Sequence, residues 1–512
     1  MAPFTILDSD GPYASSKFII ALLVLVAYFI FGVVRNLFFH PLSKIPGPPA
    51  WSASRLPFIW SLLRGTLIHD VEKLHRKYGP VLRIAPDEVT FAGEEAYQDI
   101  FQIRPDGKQF LKDAVWWETQ PGLPETILSA INPDAHSHIR KIFAPAFTPR
   151  ALRDQEPILQ RYINLLVERL RDQIVVGPER KSARVDLVPW LNFTTFDIIG
   201  DLGFGDSFDC LQNSRYHPWT KLLFSSVKAA TWVASARFYP LVEFLLMKCI
   251  PPSLMKTQTD HYNRIANKVQ QRLNFEVQRP DILSDVLKDG KETLPIGEVN
   301  STFMILTTGG SETTATLVSG TLNYLVQCPQ KLSKLTREIR SRFQNDSEIT
   351  LDALRDLPYL NAVINEGFRM CPPVPWVLPR RVPEGGGAVC GVWLPERTPV
   401  SIQAYTMSRD PTYFHSPSSF EPERWLPEAS TNPQSPFFKD RRGAVQPFSV
   451  GPRNCLGQHI AMAEIRLMLS KLVRTFDFEV IEEAKVKWED LRVFLLLEKK
   501  PIEVNIKLSE VA

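Results

Sequence analysis

The chain has 512 residues, 44% of them hydrophobic and 22% charged, which is the composition of a globular protein and excludes a largely disordered chain. Its 59 Lys and Arg residues nearly balance its 56 Asp and Glu residues, for a formal net charge of +3, so we expect no nucleic-acid partner. The six cysteines lie far apart without a Cys-x-x-Cys pair, which argues against a disulfide scaffold and favours a reducing compartment.

The first predicted element is a transmembrane helix at residues 18–34, a run of 17 uncharged and mostly apolar residues, which is at the lower limit for crossing a bilayer. A cleaved signal peptide is the alternative interpretation. Against it, Asp8 and Asp10 stand where a signal peptide carries basic residues, and no small-x-small cleavage site follows. Because basic residues follow the helix, the positive-inside rule predicts that residues 1–17 are lumenal and that the main body is cytosolic.

Residues 35–50 form a predicted proline-rich hinge, in which the four prolines of "HPLSKIPGPP" stiffen the backbone. Residues 51–512 contain no repeat, low-complexity tract or Gly/Ser linker. We therefore expect one domain after the hinge.

Helical patterns dominate this domain. Residues 151–174 carry apolar residues every three to four positions with charges between them, and residues 300–327 are apolar nearly all round, which predicts a buried central helix. Strand-like runs occur at residues 81–86 and 88–93 and again after residue 379. The predicted fold class is mainly α with a smaller β part.

The segment "FSVGPRNCLG", from Phe448 to Gly457, holds one cysteine, Cys455, and no second cysteine or histidine. Four roles are open to this thiol: a buried structural side chain, a nucleophile with His459 as its base, a zinc ligand or an iron ligand. Zinc needs several nitrogen or sulfur ligands, and none lies nearby in the sequence. A helix beginning just after Cys455 would point free backbone amides at the sulfur and stabilise the thiolate, the form that binds metal.

Other residues of this loop suit a haem. Gly451 and Gly457 lack side chains and leave room for a flat macrocycle, and Arg453 offers a cation for propionate groups. The loop resembles the haem-binding signature of the cytochromes P450, which are haem-thiolate monooxygenases, and the resemblance extends along nearly the whole chain. It implies the cytochrome P450 fold, haem b (iron protoporphyrin IX) as the cofactor, Cys455 as the axial ligand of the haem iron, and cofactor-binding roles for Phe448, Arg453 and Gly457.

In this family a Glu-x-x-Arg pair precedes the cysteine loop, and "NEGFRMCPP" provides Glu366 and Arg369. The same spacing occurs elsewhere in the chain, where a solvated helical pair is the ordinary interpretation. This pair is distinguished by its position, 89 residues before Cys455, and by the segment "FEPERW" that follows it. The resemblance implies that Glu366, Arg369 and Arg424 form a structural charge triad.

The predicted central helix contains "TGGSETT", with Gly309 and Gly310 in its middle. Each glycine costs about 1 kcal/mol relative to alanine inside a helix, so a close packing partner or a ligand should explain them. The segment resembles the oxygen groove of the family. The resemblance implies catalytic roles for Thr313, which would handle oxygen and protons, and for Glu312, which would supply protons.

The segment "DAHSHIRKIFAPAF" resembles the family helix that contacts the haem propionates, and it carries His136 and Arg140 four residues apart on one face. The alternative for His136 is an ordinary residue at a helix N-terminus. Arg380 in "LPRR" is a third predicted propionate ligand, with Arg381 as the competing choice.

The segments that meet the substrate in this family are mostly apolar here, which predicts a lipophilic, weakly charged ligand. Most of their large side chains would be core residues in any protein. They are Trp116, Trp117, Phe224, Trp232, Phe303, Met304, Leu306, the run from Val374 to Leu378, and Phe494.

The sequence carries neither a dinucleotide-binding glycine motif nor a flavin domain, so electrons must come from a partner. The resemblance implies NADPH–cytochrome P450 reductase, with cytochrome b5 as an additional candidate. Lys141, Lys439, Arg441 and Arg442 are predicted to dock the acidic face of this partner; a solvated charge run is the alternative interpretation.

These features predict a single-pass monooxygenase of the endoplasmic reticulum membrane that uses O2 to hydroxylate a lipophilic small molecule. "NLFFHPLSKIPGPP" and "WLNFTTFDIIGDLGFGDSF" resemble filamentous-fungal members that act on polyketide, terpenoid or peptide-derived secondary metabolites. One alternative is a haem-thiolate isomerase, dehydratase or peroxide-using enzyme, and another is a non-catalytic haem sensor. Three glycosylation sequons, at Asn192, Asn300 and Asn345, are short enough to arise by chance.

Overall fold

A computed structural model describes residues 12–119, 123–176, 181–274, 279–287 and 294–510 of the chain. Helices form most of this part and strands form less of it, which confirms the predicted fold class. Most of the predicted lumenal segment lies outside the described residues.

An apolar helix stands at the beginning of the described chain. Helix α1 (Pro12–Val34) continues as a short π-helix over Arg35–Phe39. The stretch Lys17–Phe39 is long and apolar enough to cross a membrane, with a mean hydropathy of 2.7 and no burial in its most apolar part. The helix extends beyond the predicted end because apolar residues follow the single Arg35.

The proline-rich hinge is hydrogen-bonded to the body of the protein. The Asn36 side chain donates to Ala53 O at 2.9 Å, and an Arg83 Nη donates to Asn36 O at 2.9 Å. The backbone amide of Arg83 donates to Pro46 O at 2.8 Å. Gly47 permits this close approach, because a Cβ there would lie 2.4 Å from Arg83 O. The hinge is therefore an ordered part of the fold.

The helices after the hinge range from single turns to the long central helix α14. Their bounds are α2 Pro49–Ala53, α3 Leu56–Arg64, α4 Leu67–Tyr78, α5 Glu95–Phe101, α6 Ala114–Trp117, α7 Pro133–Phe143, α8 Pro149–Val176, α9 Leu187–Phe204, α10 Pro218–Arg237, α11 Pro240–Cys249, α12 Pro252–Leu273, α13 Ile282–Leu287, α14 Ile296–Gln327, α15 Pro329–Arg342, α16 Leu351–Arg355, α17 Pro358–Met370, α18 Ala404–Ser408, α19 Pro427–Thr431 and α20 Gln458–Thr475.

The central helix α14 is buried along most of its length, as its sequence predicts. It packs against α9, which is itself almost wholly buried, and it also contacts α17 and α20. Gly310 lets α14 and α9 approach, because a Cβ on Gly310 would lie 3.1 Å from Ile199 Cδ1. One of the two central glycines is thus explained by a helix crossing.

The strands form one five-stranded sheet, one three-stranded sheet and two hairpins. Their bounds are β1 Val81–Ala85, β2 Glu88–Phe91, β3 Leu111–Lys112, β4 Ser182–Asp186, β5 Val377–Arg381, β6 Gly387–Val389, β7 Val392–Leu394, β8 Pro399–Ile402, β9 Phe476–Val480, β10 Val493–Phe494, β11 Leu496–Leu497 and β12 Glu503–Leu508. The first sheet has the order β1-β2-β8-β5-β3 and the second the order β4-β12-β9, while β6-β7 and β10-β11 are the hairpins. The two strands predicted near the front are β1 and β2, paired antiparallel.

One pairing in the first sheet positions charged residues. The short strand β3 runs antiparallel to β5, with Lys112 opposite Arg380. Residues that lie far apart in the sequence thereby meet at one edge of the sheet.

Candidate functional site

The loop before α20 is closed by its own backbone. The amide of Cys455 donates to Phe448 O at 2.8 Å, and the Phe448 ring packs edge-on against Phe368, with the ring centroids 5.3 Å apart. Gly451 has a φ of +78°, and a Cβ there would lie 2.1 Å from Phe101 O. Glycine is therefore required at position 451 by a left-handed turn that packs against the backbone of Phe101. The sequence had suggested a different reason, room for a macrocycle.

The Cys455 thiol is accessible to water, yet enough protein surrounds it for burial to raise its pKa. The backbone amide of Gly457 and the charge of Arg140 oppose this shift and favour the thiolate. Space lies beside the loop, because a Cβ on Gly457 would meet only Phe147, at 3.9 Å. A thiol of this kind can bind a metal that carries a flat ligand.

Four basic side chains form what we call the cationic cluster: Lys112, His136, Arg380 and Arg453. Burial and the neighbouring positive charges lower the pKa of His136 to about 3 and of Arg380 to about 9, and they lower that of Lys112 well below its ordinary value. Among the described residues, none of the four side chains forms an ion pair with an acidic residue. The exposed Glu125 lies near enough to raise the pKa of Arg453 by its charge, against the larger effect of burial. Such a set fits an anionic group, since buried charges are normally paired.

Lys112 is a member of this cluster that sequence reasoning missed. Its Nζ donates to Leu128 O and lies 4.2 Å from the centroid of the Trp117 ring. The indole nitrogen of Trp117 is buried without a hydrogen-bond partner. Only the pairing of β3 with β5 brings Lys112 to the cluster, and no local motif announces that pairing.

Two arginines considered as propionate ligands, Arg140 and Arg381, lie outside the cationic cluster and bind other residues. Arg140 binds Asn454 in a fork, with 2.7 Å to the backbone oxygen and 2.7 Å to Oδ1, so it supports the cysteine loop directly. Arg381 pairs with Asp113 at 3.0 Å and is partly exposed. Of the adjacent arginines, Arg380 is the one in the cationic cluster.

Glu366, Arg369 and Arg424 meet in a fully buried network, which we call the balanced network. Arg369 binds Glu366 in a fork at 2.9 and 2.7 Å, and Arg424 Nε lies 3.1 Å from Glu366 Oε2. Although burial opposes ionisation, the two arginines lower the pKa of Glu366. Both arginines named from the sequence thus contact the one carboxylate of Glu366.

The balanced network has further members that the sequence did not indicate. Arg424 forms an ion pair with the buried Asp440, and the Trp425 indole donates to Glu366 Oε2 at 2.8 Å. Arg369 donates to three backbone carbonyls, of Ser408, Pro417 and Ser419. Every charge therefore has a partner, and α17 is fastened to the segment that leads to the cysteine loop.

Glu312 and Thr313 occupy different environments on α14. The Thr313 hydroxyl donates to Gly309 O at 2.5 Å; Thr313 is partly accessible, and a Cβ on Gly309 would meet nothing within 4 Å. Glu312 is buried and forms an ion pair with Lys499 at 2.7 Å. Gly309 thus faces open space beside Thr313, as the predicted groove requires, whereas Glu312 is held by a partner that the sequence did not indicate.

The side chains predicted to meet substrate divide into two groups. Trp116 packs edge-on against Trp376 with centroids 5.2 Å apart, and against Phe238 at 6.1 Å. The indole nitrogens of Trp116 and Trp376 are buried and have no acceptor among the described residues. Phe303, by contrast, packs among core aromatic residues and is 1% exposed, so its role is in the core. The side chain of Phe224 lies outside the described part of the chain.

The four predicted docking cations are also unequal. Lys141 and Lys439 are exposed, and Arg441 pairs with Glu94 and Glu95 at 3.1 and 3.0 Å. Arg442 donates to three backbone carbonyls of its own region. Arg442 therefore belongs to the fold rather than to a docking surface.

Comparison with known proteins identifies this arrangement. The family model for cytochrome P450 matches residues 48–506. The chain belongs to the cytochrome P450 family. It is 40% identical over 476 residues to the cytochrome P450 monooxygenase lcsI of Purpureocillium lilacinum, covering 92% of this chain and 90% of that protein. It is 39% identical over 486 residues to the trichothecene C-4 hydroxylase of Trichoderma arundinaceum, covering 94% and 95%.

These comparisons confirm the predicted family, its resemblance to fungal members and the predicted class, a haem-dependent monooxygenase that oxidises a small molecule. They do not favour the isomerase, dehydratase or peroxide-using alternative. The cytochrome P450 family implies a haem-thiolate cofactor, and the accessible Cys455 with the cationic cluster fits one. Two of the three sequons, at Asn192 and Asn300, are buried in helices, so the folded chain does not present them to glycosylation.

Proposed function

We propose that this cytochrome P450 binds haem b through Cys455 and hydroxylates a lipophilic, weakly charged small molecule of fungal secondary metabolism, with electrons from NADPH–cytochrome P450 reductase, and cytochrome b5 as a second donor. The observation that carries the proposal is the accessible thiol of Cys455 on its closed loop. The name of the Trichoderma relative, a hydroxylase, supports the reaction type.

Haem bound at this thiol supplies the redox chemistry that activates O2. The protein's part begins with holding it. The Cys455 thiolate would bind the iron, the cationic cluster would bind the propionate carboxylates, and Gly457 leaves room beside the loop for a flat ring. Carboxylates bound here would offset the burial that chiefly lowers the pKa values of the cluster, and the repulsion that adds to it in Lys112, His136 and Arg380. Phe448 and the balanced network keep the loop in place.

The central helix supplies protons. Thr313 holds a hydroxyl at the open face of α14, where its hydrogen bond to Gly309 O fixes the oxygen in position. Glu312 is the neighbouring proton donor, because burial raises its pKa against the charge of Lys499. General acid catalysis of this kind typically contributes about 10²- to 10⁴-fold to rate.

Substrate selection rests on the aromatic residues around Trp116 and Trp376. Trp116 is half-buried and offers apolar surface, and its indole N–H, which has no acceptor among the described residues, offers a donor to an oxygen atom of a substrate, whereas the buried Trp376 supports Trp116 from the core. A lipophilic molecule with hydrogen-bond acceptors fits this lining better than a purely hydrocarbon one.

A cytosolic catalytic domain on the endoplasmic reticulum membrane accounts for the apolar helix before the hinge. A second apolar surface supports this location. Helix α11 exposes Leu241, Val242, Phe244 and Leu245, which are more than half or about half accessible. Exposed apolar patches of this kind are typical of contact with a membrane or another protein.

The Cys455 assignment is tested by spectroscopy of the purified, haem-loaded protein. Reduced protein under carbon monoxide should show the red-shifted Soret band of thiolate ligation, and extraction should yield haem b. Cys455→Ser should abolish that band, whereas Cys249→Ser, a change at another exposed cysteine, should leave it intact. A thiolate band that persists in Cys455→Ser would overturn the proposal.

The reaction is tested by supplying NADPH, O2 and the reductase to the haem-loaded protein, and by comparing the metabolites of host strains with and without the gene. A compound that accumulates in the deletion strain should be converted to a product one oxygen atom heavier. Conversion that proceeds without NADPH or reductase would favour the peroxide-using or isomerising alternative.

A further inference from the structure

The partner of Glu312 reaches it from the far end of the chain. Lys499 Nζ donates to Glu312 Oε1 at 2.7 Å, to Thr316 Oγ1 at 3.0 Å and to Asn192 Oδ1 at 3.1 Å. Both charged side chains are buried, with 7% and 5% exposure. The ammonium therefore ties the Glu312 carboxylate to the side of α14 that faces α9.

Lys499 is placed by the β10–β11 hairpin, which ends two residues before it. Glu498 closes the hairpin: its backbone amide donates to Arg492 O at 2.8 Å, and its side chain forms an ion pair with Arg492 at 2.7 Å. Lys228 of α10 pairs with Glu498 at 3.2 Å and lies 4.5 Å from the centroid of the Phe494 ring. The position of Lys499 thus depends on the hairpin and on α10, two elements predicted to meet substrate.

Stability is a poor explanation for this ion pair. Burying two charges carries a desolvation cost that often equals or exceeds their attraction, and apolar replacements are commonly neutral. In line with that cost, burial raises the pKa of Glu312 and lowers the pKa of Lys499, so both groups are shifted toward their neutral forms. The pair also sits next to Thr313 in the chain, where proton supply is proposed.

We propose that Lys499 is a positioning residue for proton supply: it holds the Glu312 carboxylate away from Thr313 and so controls when Glu312 delivers a proton. This inference rests on the proposed function of Glu312. Only O–H bonds change in the step: Glu312 gives its proton to the Thr313 oxygen while the Thr313 hydroxyl passes its own proton on to reduced O2. The resulting carboxylate returns to the ammonium of Lys499, and a proton from water restores the acid.

The experiment uses haem-loaded protein with reductase and NADPH, without substrate, and measures NADPH oxidation, H2O2 release and the solvent deuterium isotope effect. Lys499→Met should change the NADPH oxidation rate by about tenfold and alter its isotope effect, because the acid loses its position. Lys499→Gln, which keeps a hydrogen-bond donor without the charge, should behave in the same way. The matched control is Lys471→Met, which removes another buried lysine, one that donates to Asn164.

The double variant Glu312→Gln/Lys499→Met separates this role from a structural one. If Lys499 acts through Glu312, the second substitution should add nothing to the effect of Glu312→Gln; effects that add would overturn the inference. If both Lys499 variants kept wild-type kinetics while Glu312→Gln was impaired, the inference about Lys499 would be overturned and the proposed role of Glu312 would stand. Unchanged kinetics in Glu312→Gln would instead overturn the proposed role of Glu312.

A second readout does not depend on turnover. Infrared difference spectra should show a new C=O stretch of a protonated carboxylic acid in Lys499→Met, because removal of the ammonium raises the pKa of Glu312 further. The band should be missing from the double variant, which has no carboxyl at this position. If a correctly folded Lys499→Met protein showed no such band, the inference that Lys499 controls the protonation of Glu312 would be contradicted.

Discussion

The balanced network and the cationic cluster are both made of buried charged side chains, yet they differ in one respect. In the balanced network Glu366 and Asp440 neutralise Arg369 and Arg424 within the protein. In the cationic cluster burial, together with repulsion by Arg453, lowers the pKa of Arg380 to about 9. A network whose charges are all paired needs no ligand and is costly to break by removing one partner, whereas a cluster of one sign is suited to a ligand of the other sign.

The largest expected effect comes from breaking the balanced network. Glu366→Gln leaves Arg369 and part of Arg424 buried without their carboxylate, so we expect a loss of about 3–5 kcal/mol in the free energy of unfolding. Urea unfolding of the haem-loaded protein measures it. Because the folded pKa of Glu366 is depressed, its contribution is present above its ordinary pKa of 4.5 and is lost as the pH falls further, so the variant and the wild type should converge in acid.

Removing a charge from the cationic cluster should act on haem rather than on the fold. Arg380→Met should speed the transfer of haem to excess apomyoglobin by about 10- to 100-fold, since a charge-assisted hydrogen bond contributes about 1.5–3 kcal/mol. The thermal unfolding temperature should change little before haem is lost. Arg381→Met, beside it, removes an arginine that is paired with Asp113. If the two variants lost haem at the same rate, the cationic cluster would have no special role in holding haem.

A third buried carboxyl, Glu464 of α20, sharpens the contrast because it lacks a cationic partner among the described residues. Burial raises its pKa well above 4.5, and a hydrogen bond from Thr314 only partly opposes this shift. The folded chain then binds a proton that the unfolded chain releases, so wild-type stability falls as the pH rises above 4.5. Glu464→Gln should therefore gain stability relative to wild type at about pH 7 and not at about pH 4, measured by urea midpoints. An equal difference at both pH values would show that Glu464 is ionised in the fold.

The smallest expected effect concerns exposed cations. Reversing Lys141 and Lys439 to Glu should slow reduction by the reductase severalfold at low salt, and the difference should shrink as ionic strength rises. Stopped-flow reduction under carbon monoxide measures it. Arg442→Glu is a poor test of docking, since Arg442 holds three carbonyls of the fold. Salt-independent rates in the double lysine variant would remove these residues from the docking surface.

Local motifs carried most of what the sequence could predict. The cysteine loop, the Glu366–Arg369 pair and the central helix each lie within one continuous segment, so local patterns, their position in the chain and the family resemblance locate them. Asp440, Lys112 and Lys499 were missed because tertiary contacts bring them to their partners, over 16, 268 and 187 residues of chain from Arg424, Arg380 and Glu312 respectively. The close approach of Gly451 to Phe101 could not be predicted either, since that contact is non-local.

When the apolar helix anchors the chain in a membrane, as proposed, the hydrogen bonds between the hinge and Arg83 affect encounters with a partner in the same membrane. With a flexible linker, the catalytic domain would sample many orientations relative to the membrane, and a partner diffusing in the same bilayer would meet it in all of them. Because the hinge is hydrogen-bonded to the catalytic domain, it restricts the tilt of that domain and its height above the membrane. The domain and a membrane-bound partner then have fewer relative orientations to sample. Loosening the hinge, for instance by Arg83→Ala, would increase the number of these orientations without altering any residue of the active centre.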